Sequence, residues 1–275
     1  MKRANKDIHK SSLRNEQYAS HISTRLWSET PSSDNPYIAE DCRCHGYELF
    51  DLISKRSFTD VIYLLFQGEL PSKEQEQILQ ALMIGLINPG PRHPATRAAM
   101  NAGIGKTDPA HILPISLLAI GGTHLGGSEV AVSMRFLTKS YRKDPHVIAQ
   151  GLIDNPRPST DTDWHIAPGF GTRFNGIDII PKKLGLTISR MPQCGNVVQW
   201  GNAFADILEQ NCGCSWLSTG IAAAVLADLG FHPRAGAGLF QLISAPGLLA
   251  HGLEMSNKPI TSMPFIDDDH YVIEK

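Results

Sequence analysis

Residues 121–132 read Gly-Gly-Thr-His-Leu-Gly-Gly-Ser-Glu-Val-Ala-Val, which places His124 between two glycine pairs. Glycine leaves no side chain between the backbone and a bound molecule, so this setting suits a histidine that contacts a small ligand. A single loop histidine is usually an ordinary surface residue. A second one, however, lies in a similar setting in Gly90-Pro91-Arg92-His93-Pro94, one apolar, helix-length stretch upstream. The two together predict a small-molecule site.

The composition is that of an ordinary globular protein. The chain has 275 residues, of which 42% are hydrophobic and 19% charged, and its formal net charge is −2. This balance favours neither nucleic acid nor an anionic membrane as a partner. The basic N-terminus is not followed by an apolar run, so no secretory signal is expected and the predicted location is the cytoplasm. The most apolar segments, 112–120 and 221–229, are about half of a bilayer span and predict buried helices.

The cysteines do not predict a disulfide framework or a metal site. They number five, at positions 42, 44, 194, 212 and 214. An odd count in a chain without a predicted signal peptide favours reduced thiols. The two Cys-x-Cys pairs lack the spacing that is typical of structural zinc sites, so we predict buried free thiols and no metal.

The pattern along the chain is mostly helical. Residues 1–36 are polar, with a linker at 28–36, and predict an arm that lies on the surface or on a partner subunit. From Asp41 onward the sequence predicts helices. Ser57 and Ser72 are N-cap residues of the first two, and Gly68 ends the first. Apolar spacing of three and four predicts further helices at 95–103, 111–120, 128–140, 197–210, 218–229 and 236–255.

One long segment, 154–181, interrupts the helical pattern. It carries four prolines and contains Pro168-Gly-Phe-Gly-Thr-Arg173. A long irregular segment in a compact helical protein is usually functional or disordered, and Trp164, Ile166, Phe170 and Phe174 argue against disorder. The segment therefore predicts part of a binding cleft.

Several of these stretches together resemble the citrate synthase superfamily, particularly its shorter citryl-CoA lyase and ATP-citrate lyase C-terminal modules. His45–Leu52 and Ser57–Pro71 look like the family's opening RGYD…DL and SFEEVAYLLLYGELP. Residues 121–132 look like GPLHGGANEAV, Gly169–Arg173 looks like GFGHR, and Leu242–Glu254 looks like IARVAGWLAHWLE. The order and spacing agree over roughly residues 41–275, and the stretch around His124 is the strongest match.

The resemblance implies an all-α, citrate-synthase-like architecture with the active site in a cleft between two helical domains. Residues 1–127 and 221–275 would form the large domain and 128–220 the small one. It also implies a homodimer, in which helices such as 78–87 and 112–120 pack against a second subunit. The sequence supports the dimer independently, because these two helices are apolar nearly all round.

The resemblance also implies roles for individual residues. His124 would donate a hydrogen bond to the thioester carbonyl of an acyl-CoA as the enol forms, and His93 would bind the carbonyl or a carboxylate of the acceptor. The implied substrates are a coenzyme A thioester and a keto acid or aldehyde-type acceptor, with no tightly bound cofactor. The residues predicted to contact substrate or CoA are Gly122, Gly126, Gly127, Gly169, Gly171, Thr172, Arg173 and Lys182.

Five positions depart from the family's pattern. Thr172 replaces the histidine of GFGHR, and a hydroxyl cannot become cationic. Trp216 replaces the aspartate of NVDFYSG, which takes the proton from the acetyl group, and an indole is not a base. Lys182, Ser244 and Ser262 stand where the family has arginines. Because two-point recognition of carboxylates needs the guanidinium group, citrate and oxaloacetate are poor candidates for the natural ligand.

Two functions remain open at this point. The first is an enzyme of the citryl-CoA lyase type, which makes or cleaves a carbon–carbon bond α to a thioester in a substrate other than citrate. Its base is unassigned, and His165, Asp161 and Asp163 are candidates in the cleft segment. The second is a catalytically silent CoA-binding or regulatory subunit with the same fold, since fold alone does not fix function.

Overall fold

The computed structural model describes residues 18–154 and 164–264, together with 266, 268–271 and 274. The chain divides into two compact units, with the boundary between Ser54 and Lys55. In the described part, none of the helices combines the length and the apolar character that a bilayer crossing requires. The predicted base candidates Asp161 and Asp163 lie outside the described residues.

The described residues form eleven α-helices and five short strands. The strands are β1 (Trp27–Pro31), β2 (Ala39–Cys44), β3 (Tyr47–Glu48), β4 (Phe170–Gly171) and β5 (Ser215–Trp216). The helices are α1 (Leu49–Lys55), α2 (Phe58–Gln67), α3 (Lys73–Leu86), α4 (Pro94–Ile104), α5 (Pro109–Ile120), α6 (Gly127–Ser140), α7 (Pro145–Ile153), α8 (Ile179–Ser189), α9 (Asn196–Cys212), α10 (Ser218–Asp228) and α11 (Pro233–Ser256). Two short 3-10 helices, Ile260–Ser262 and Asp268–His270, follow.

The N-terminal unit contains a small antiparallel sheet, which corrects two sequence-based expectations. Strand β1 lies within the predicted polar arm and pairs with β2, and β2 occupies a stretch predicted to be helical. A two-residue turn at His45-Gly46 joins β2 to β3, and both turn residues have positive φ, 47° and 87°. Such turns match the twist of antiparallel strands, but His-Gly is a weaker sequence signal for them than Asn-Gly.

The helices of the second unit agree with the capping signals in the sequence. Ser57 and Ser72 both form capping boxes at the starts of α2 and α3, and Gly68 ends α2 in the left-handed conformation with φ 81°. The predicted helices from 95 to 255 all form, with ends that differ by a few residues. Helices α7 and α8, however, were not predicted. Helix α8 begins at Ile179, within the segment expected to be irregular.

Helix α10 is the centre of the core. Its residues Thr219–Leu226 are all buried, because their side chains are small or apolar on every face of the helix. Helix α11 packs against α4, α5 and α6. Where it crosses α4, Gly103 faces the Gly252 carbonyl so closely that a Cβ atom at Gly103 would collide with it. The predicted division into a large and a small helical domain stays a prediction.

A half-buried carboxylate caps the start of helix α9. Asp228, at the end of α10, accepts hydrogen bonds from the backbone N–H groups of Val197 and Val198, each at 2.9 Å. Helix N-termini leave such N–H groups unpaired, and Gly195 at the N-cap supplies no side chain. Burial raises the pKa of Asp228 above its usual value, although both hydrogen bonds oppose the shift. The carboxyl thus links two core helices.

Candidate functional site

His93 is the N-cap residue of α4, and both of its ring nitrogens are engaged. Nδ1 accepts a hydrogen bond from the Ala95 N–H at 3.1 Å, and Nε2 lies 3.1 Å from the Leu125 carbonyl oxygen. Since Nδ1 is an acceptor, the proton of the neutral ring is on Nε2, which donates to Leu125. Burial lowers the pKa of His93, the bond to Leu125 opposes this shift, and the charges of Arg173 and His124 lower it further.

His124 lies on the short loop between α5 and α6, and this loop is held from two sides. Leu125, the next residue, is buried and has a φ of 55°, a conformation that costs about 1–2 kcal/mol for a residue with a side chain. Its carbonyl accepts from His93, and its N–H donates to Glu129 Oε2 at 2.8 Å. These two bonds fix the backbone that carries the exposed His124 side chain.

Glu129 connects this loop to the cleft segment. It lies in the first turn of α6 and is only 6% exposed. While Oε2 accepts from Leu125, Oε1 lies 2.7 Å from Nδ1 of His165. The His165 ring in turn stacks on His124, with ring centroids 5.1 Å apart and planes inclined by 21°. Hydrogen bonds therefore connect His93, Leu125, Glu129 and His165 in one series.

A cavity of about 230 Å³ lies next to His93. Its wall includes Arg173, Asp178, Ser218 and Ser244. Among the described residues of this wall, Arg173 carries the one guanidinium group, and its Cζ lies 5.0 Å from the centre of the Phe174 ring. Ser244, the residue at a predicted arginine position, is 1% exposed, and its hydroxyl is directed to the Leu86 carbonyl at 3.5 Å.

Arg173 reaches this cavity from a tight turn. Residues 173 and 176 are joined by two backbone hydrogen bonds, of 2.7 and 2.9 Å. Between them, Phe174 and Asn175 have φ values of 49° and 62°. Asparagine tolerates this conformation, whereas phenylalanine is strained in it. Phe174 is nevertheless 61% exposed.

The other predicted residues of the cleft segment have structural contacts. Thr172 is 1% exposed, and its hydroxyl accepts from the Trp164 N–H at 3.1 Å, so it cannot meet a substrate carbonyl in this conformation. Gly169 has a φ of 82°, and a Cβ atom there would collide with Gly220. A Cβ atom at Gly171 would collide with the Trp164 carbonyl. Close packing therefore requires both glycines, and their contact with CoA stays a prediction.

The glycines around His124 also permit close approach of backbones. A Cβ atom at Gly126 would strike the carbonyl oxygens of Ile120 and Gly122, and one at Gly127 would come within 2.5 Å of the Ala237 oxygen on α11. Gly122 is exposed, and a Cβ atom there would meet the Ala119 oxygen at an ordinary 3.5 Å. Of these three, Gly122 is therefore the one with space for a ligand beside it.

The contacts of Lys182 and Trp216 are with residues other than His93 and His124. Lys182, on α8, forms an ion pair with Glu209 on α9 and does not line the cavity beside His93. Trp216 is 1% exposed, and its Nε1 donates to Asn202 Oδ1 at 2.8 Å. The position expected for the family's aspartate is therefore part of the core.

Thiol and metal chemistry have little support in the described residues. All five cysteines are free thiols. Burial and the nearby Asp228 raise the pKa of Cys194 to about 11, so this thiol is a poor nucleophile at neutral pH. In the described ranges, no three His, Cys, Asp or Glu side chains come together as potential metal ligands.

The structure thus brings together four residues that the sequence predicted, which are His93, His124, His165 and Arg173. It also adds Glu129, which sequence reasoning missed. The available signal was an acidic residue in the first turn of a helix, where a carboxylate readily accepts from preceding backbone N–H groups. That position also lies only five residues after His124, within the quoted motif.

In comparisons with known proteins, the chain matches solved structures but no family model and no curated sequence. Citryl-CoA lyase from Hydrogenobacter thermophilus matches with a TM-score of 0.73 and 24% sequence identity, over 92% of this chain and 94% of that one.

Two further solved structures have the same arrangement of helices. ATP citrate lyase from Methanothrix soehngenii, solved with citrate and coenzyme A, matches with a TM-score of 0.69 and 15% identity. The match covers 94% of this chain and 44% of that one. Citrate synthase from Thermoplasma acidophilum matches with a TM-score of 0.54 and 19% identity, over 80% and 55%. The chain therefore has the all-α fold of the citrate synthase superfamily.

Proposed function

We propose that this chain is an enzyme that makes or cleaves a carbon–carbon bond next to the carbonyl of an acyl-CoA thioester, through an enol. One observation carries the proposal. The loop with His124 is held in a strained conformation by bonds from His93 and to Glu129, while the His124 side chain itself is exposed. Strain and a buried polar network are costly in a loop that serves no chemical purpose.

His124 would stabilise the negative charge that develops on the thioester oxygen. A donor whose backbone is already fixed requires little reorganisation during the reaction, and for this reason such groups stabilise transition states effectively. His93 is the predicted ligand of the acceptor. Both of its ring nitrogens are bonded to backbone, so an acceptor would have to replace the Leu125 carbonyl at Nε2.

The cavity beside His93 favours a small acceptor with one carboxylate. Arg173 can bind one carboxylate through two hydrogen bonds. Ser244 supplies no charge, and Asp178 in the same wall disfavours a second anionic group. The similar enzymes were solved with citrate or oxaloacetate, which carry several carboxylates. We therefore propose a monocarboxylate keto acid or an aldehyde, a CoA thioester as the other substrate, and no tightly bound cofactor.

The alternative is a silent CoA-binding or regulatory subunit. Two observations favour it, since Trp216 is sealed in the core and the Thr172 hydroxyl is bonded to backbone. A silent protein has no need, however, for an exposed histidine on a strained and doubly bonded loop. The two functions differ in one property that can be measured, which is the lability of the thioester α-protons.

The test is proton NMR of acetyl-CoA and propionyl-CoA with the full chain in deuterium oxide. An enzyme that forms an enol is expected to exchange the α-protons for deuterium at a rate proportional to protein concentration. Calorimetry with CoA, at concentrations up to about millimolar, measures binding separately. Binding without exchange across several thioesters would leave the silent subunit as the function. Thiol release from acetyl-CoA with oxaloacetate is expected to be negligible.

We also propose that the chain works as a homodimer. On α5, Leu118 is 83% exposed and Ile115 40%, and on α3, Ile84 is 66% exposed. These helices correspond to the stretches 78–87 and 112–120, which were predicted to pack against a second subunit. Leu118→Glu is therefore expected to shift the mass found by light scattering from dimer to monomer, while the exposed Val147→Glu on α7 leaves it unchanged. A wild-type chain that is monomeric at micromolar concentration would contradict the proposal.

We further propose that the enzyme is located in the cytoplasm.

A further inference from the structure

We propose that His165 is the general base of this site and that Glu129 positions it. In this assignment, Nε2 of His165 removes the α-proton of the acyl thioester. The inference rests on the function proposed above and deepens it, because it fills the role left open by Trp216.

The contacts of Glu129 determine which nitrogen of His165 is available. Oε1 lies 2.7 Å from Nδ1 of His165, and Oε2 accepts from the Leu125 N–H at 2.8 Å. With an acceptor at Nδ1, the neutral ring carries its proton there, and Nε2 presents a lone pair. A buried carboxylate that fixes the tautomer of a histidine base is a recurrent catalytic arrangement.

The environment of Nε2 supports a chemical role. In the described part of the chain this nitrogen has no hydrogen-bond partner, and it is shielded from solvent. Buried polar atoms are nearly always paired, so an unpaired lone pair on a fixed ring requires an explanation. The ring as a whole is 21% exposed and lines a cavity of about 280 Å³, with Thr123, Ser128 and Pro168 also in the wall.

His124 and His165 are arranged to act on two atoms of one thioester group. Their rings are almost parallel, with planes inclined by 21° and centroids 5.1 Å apart. The carbonyl oxygen and the α-carbon of a thioester are both bonded to the carbonyl carbon. One ring can therefore address the oxygen while the other addresses the carbon. Nε2 is covered by neighbouring atoms, so the acyl group must displace some of them to reach it.

The proton transfer balances without any further reactant. The Nε2 lone pair of His165 takes the α-proton, and the electrons of the broken C–H bond form the carbon–carbon double bond of the enolate. The carbonyl π electrons move to the thioester oxygen, where His124 donates a hydrogen bond. Glu129 accepts a hydrogen bond from Nδ1–H of His165 throughout and stabilises the imidazolium that forms. In the reverse direction, the protonated His165 returns a proton to the enolate carbon.

The test compares α-proton exchange of acetyl-CoA in deuterium oxide by the wild type and by variants of the full chain. His165→Ala is expected to slow exchange by roughly 10² or more, with CoA affinity within a few-fold, and added imidazole is expected to restore part of the rate. His165→Asn is expected to be equally slow. It retains an amide donor for Glu129, so it separates loss of the base from loss of structure. His146→Ala, an exposed histidine at the start of α7, is the matched control and is expected to behave as the wild type.

Glu129→Gln tests the positioning role separately. It is expected to lower the maximal exchange rate by about tenfold or more without raising the acetyl-CoA concentration that gives half of that rate. If His165→Asn exchanges within threefold of a wild type that is itself active, His165 is not the base and the proposed function stands. Loss of exchange in His165→Ala without imidazole rescue would also overturn the assignment as a base. A wild type that exchanges no thioester would overturn both proposals.

Discussion

Trp216→Ala is expected to lower the free energy of unfolding by about 3–5 kcal/mol, the usual cost of removing a large aromatic side chain from a packed core. The indole is 1% exposed and stacks on Phe170, with ring centroids 4.3 Å apart. Its Nε1 donates to Asn202, whose Oδ1 would lose this partner. Unfolding in urea, followed by circular dichroism, measures the effect.

The neighbours of Trp216 leave no room for another arrangement. Gly201 faces the indole so closely that a Cβ atom would collide with it, and a Cβ atom at Gly185 would come within 3.1 Å of Nε1. Small residues on α8 and α9 thus form the space that the indole fills. Trp216→Asp, which introduces the aspartate of the NVDFYSG motif, is therefore expected to destabilise the chain at least as much, because it also buries a carboxylate. It is not expected to increase exchange.

The control for these variants is Trp27→Ala, in the N-terminal sheet, where the side chain is 39% exposed. It is expected to change the unfolding free energy by less than about 1 kcal/mol. A Trp216→Ala variant within that same range would show that the indole is not a core residue. A Trp216→Asp variant that folds and exchanges faster than the wild type would show that a carboxylate at this position can act as the base.

The helices were predictable because their signals are local. Capping serines, a C-terminal glycine and apolar residues at spacing three and four mark α2 and α3 without knowledge of their neighbours. The hairpin at His45-Gly46 was missed because its turn chemistry is uncommon and its strands are short. Helix α8 was missed because Pro181 lies in its first turn. Proline is tolerated there, but in the sequence it has the same appearance as the prolines of the irregular segment before it.

The site was predictable only in part, because the motif shows which residues are near in sequence and not what they touch. The stretch around His124 identifies the loop. That Glu129 binds both this loop and His165 depends on two segments that lie 36 residues apart along the chain. The glycines at 169 and 171 show the opposite problem. Their pattern suggests a ligand site, whereas their environment shows that other backbone occupies the space.

His124→Ala is expected to slow exchange of the thioester α-protons by roughly 10² or more while CoA affinity stays within a few-fold. The physical reason is the order in which charge appears. In the bound thioester the carbonyl oxygen is nearly neutral, and it becomes negative only as the α-proton leaves. A donor at this oxygen therefore contributes more to the transition state than to binding of the substrate.

The measurement is the same NMR exchange in deuterium oxide, with calorimetry for CoA affinity and His146→Ala as the control. Because His124 is exposed and the loop is held through Leu125, its truncation is not expected to alter the stability of the chain. His124→Asn adds a second variant, since an amide is a neutral donor and is expected to retain more of the rate than alanine. If His124→Ala weakens CoA binding and exchange by the same factor, the side chain contributes only to binding. A drop confined to the exchange rate would assign the His124 side chain to the chemical step. In that case the double variant His124→Ala with His165→Asn is expected to lose less exchange rate than the product of the two single losses, because both residues act on one enolate.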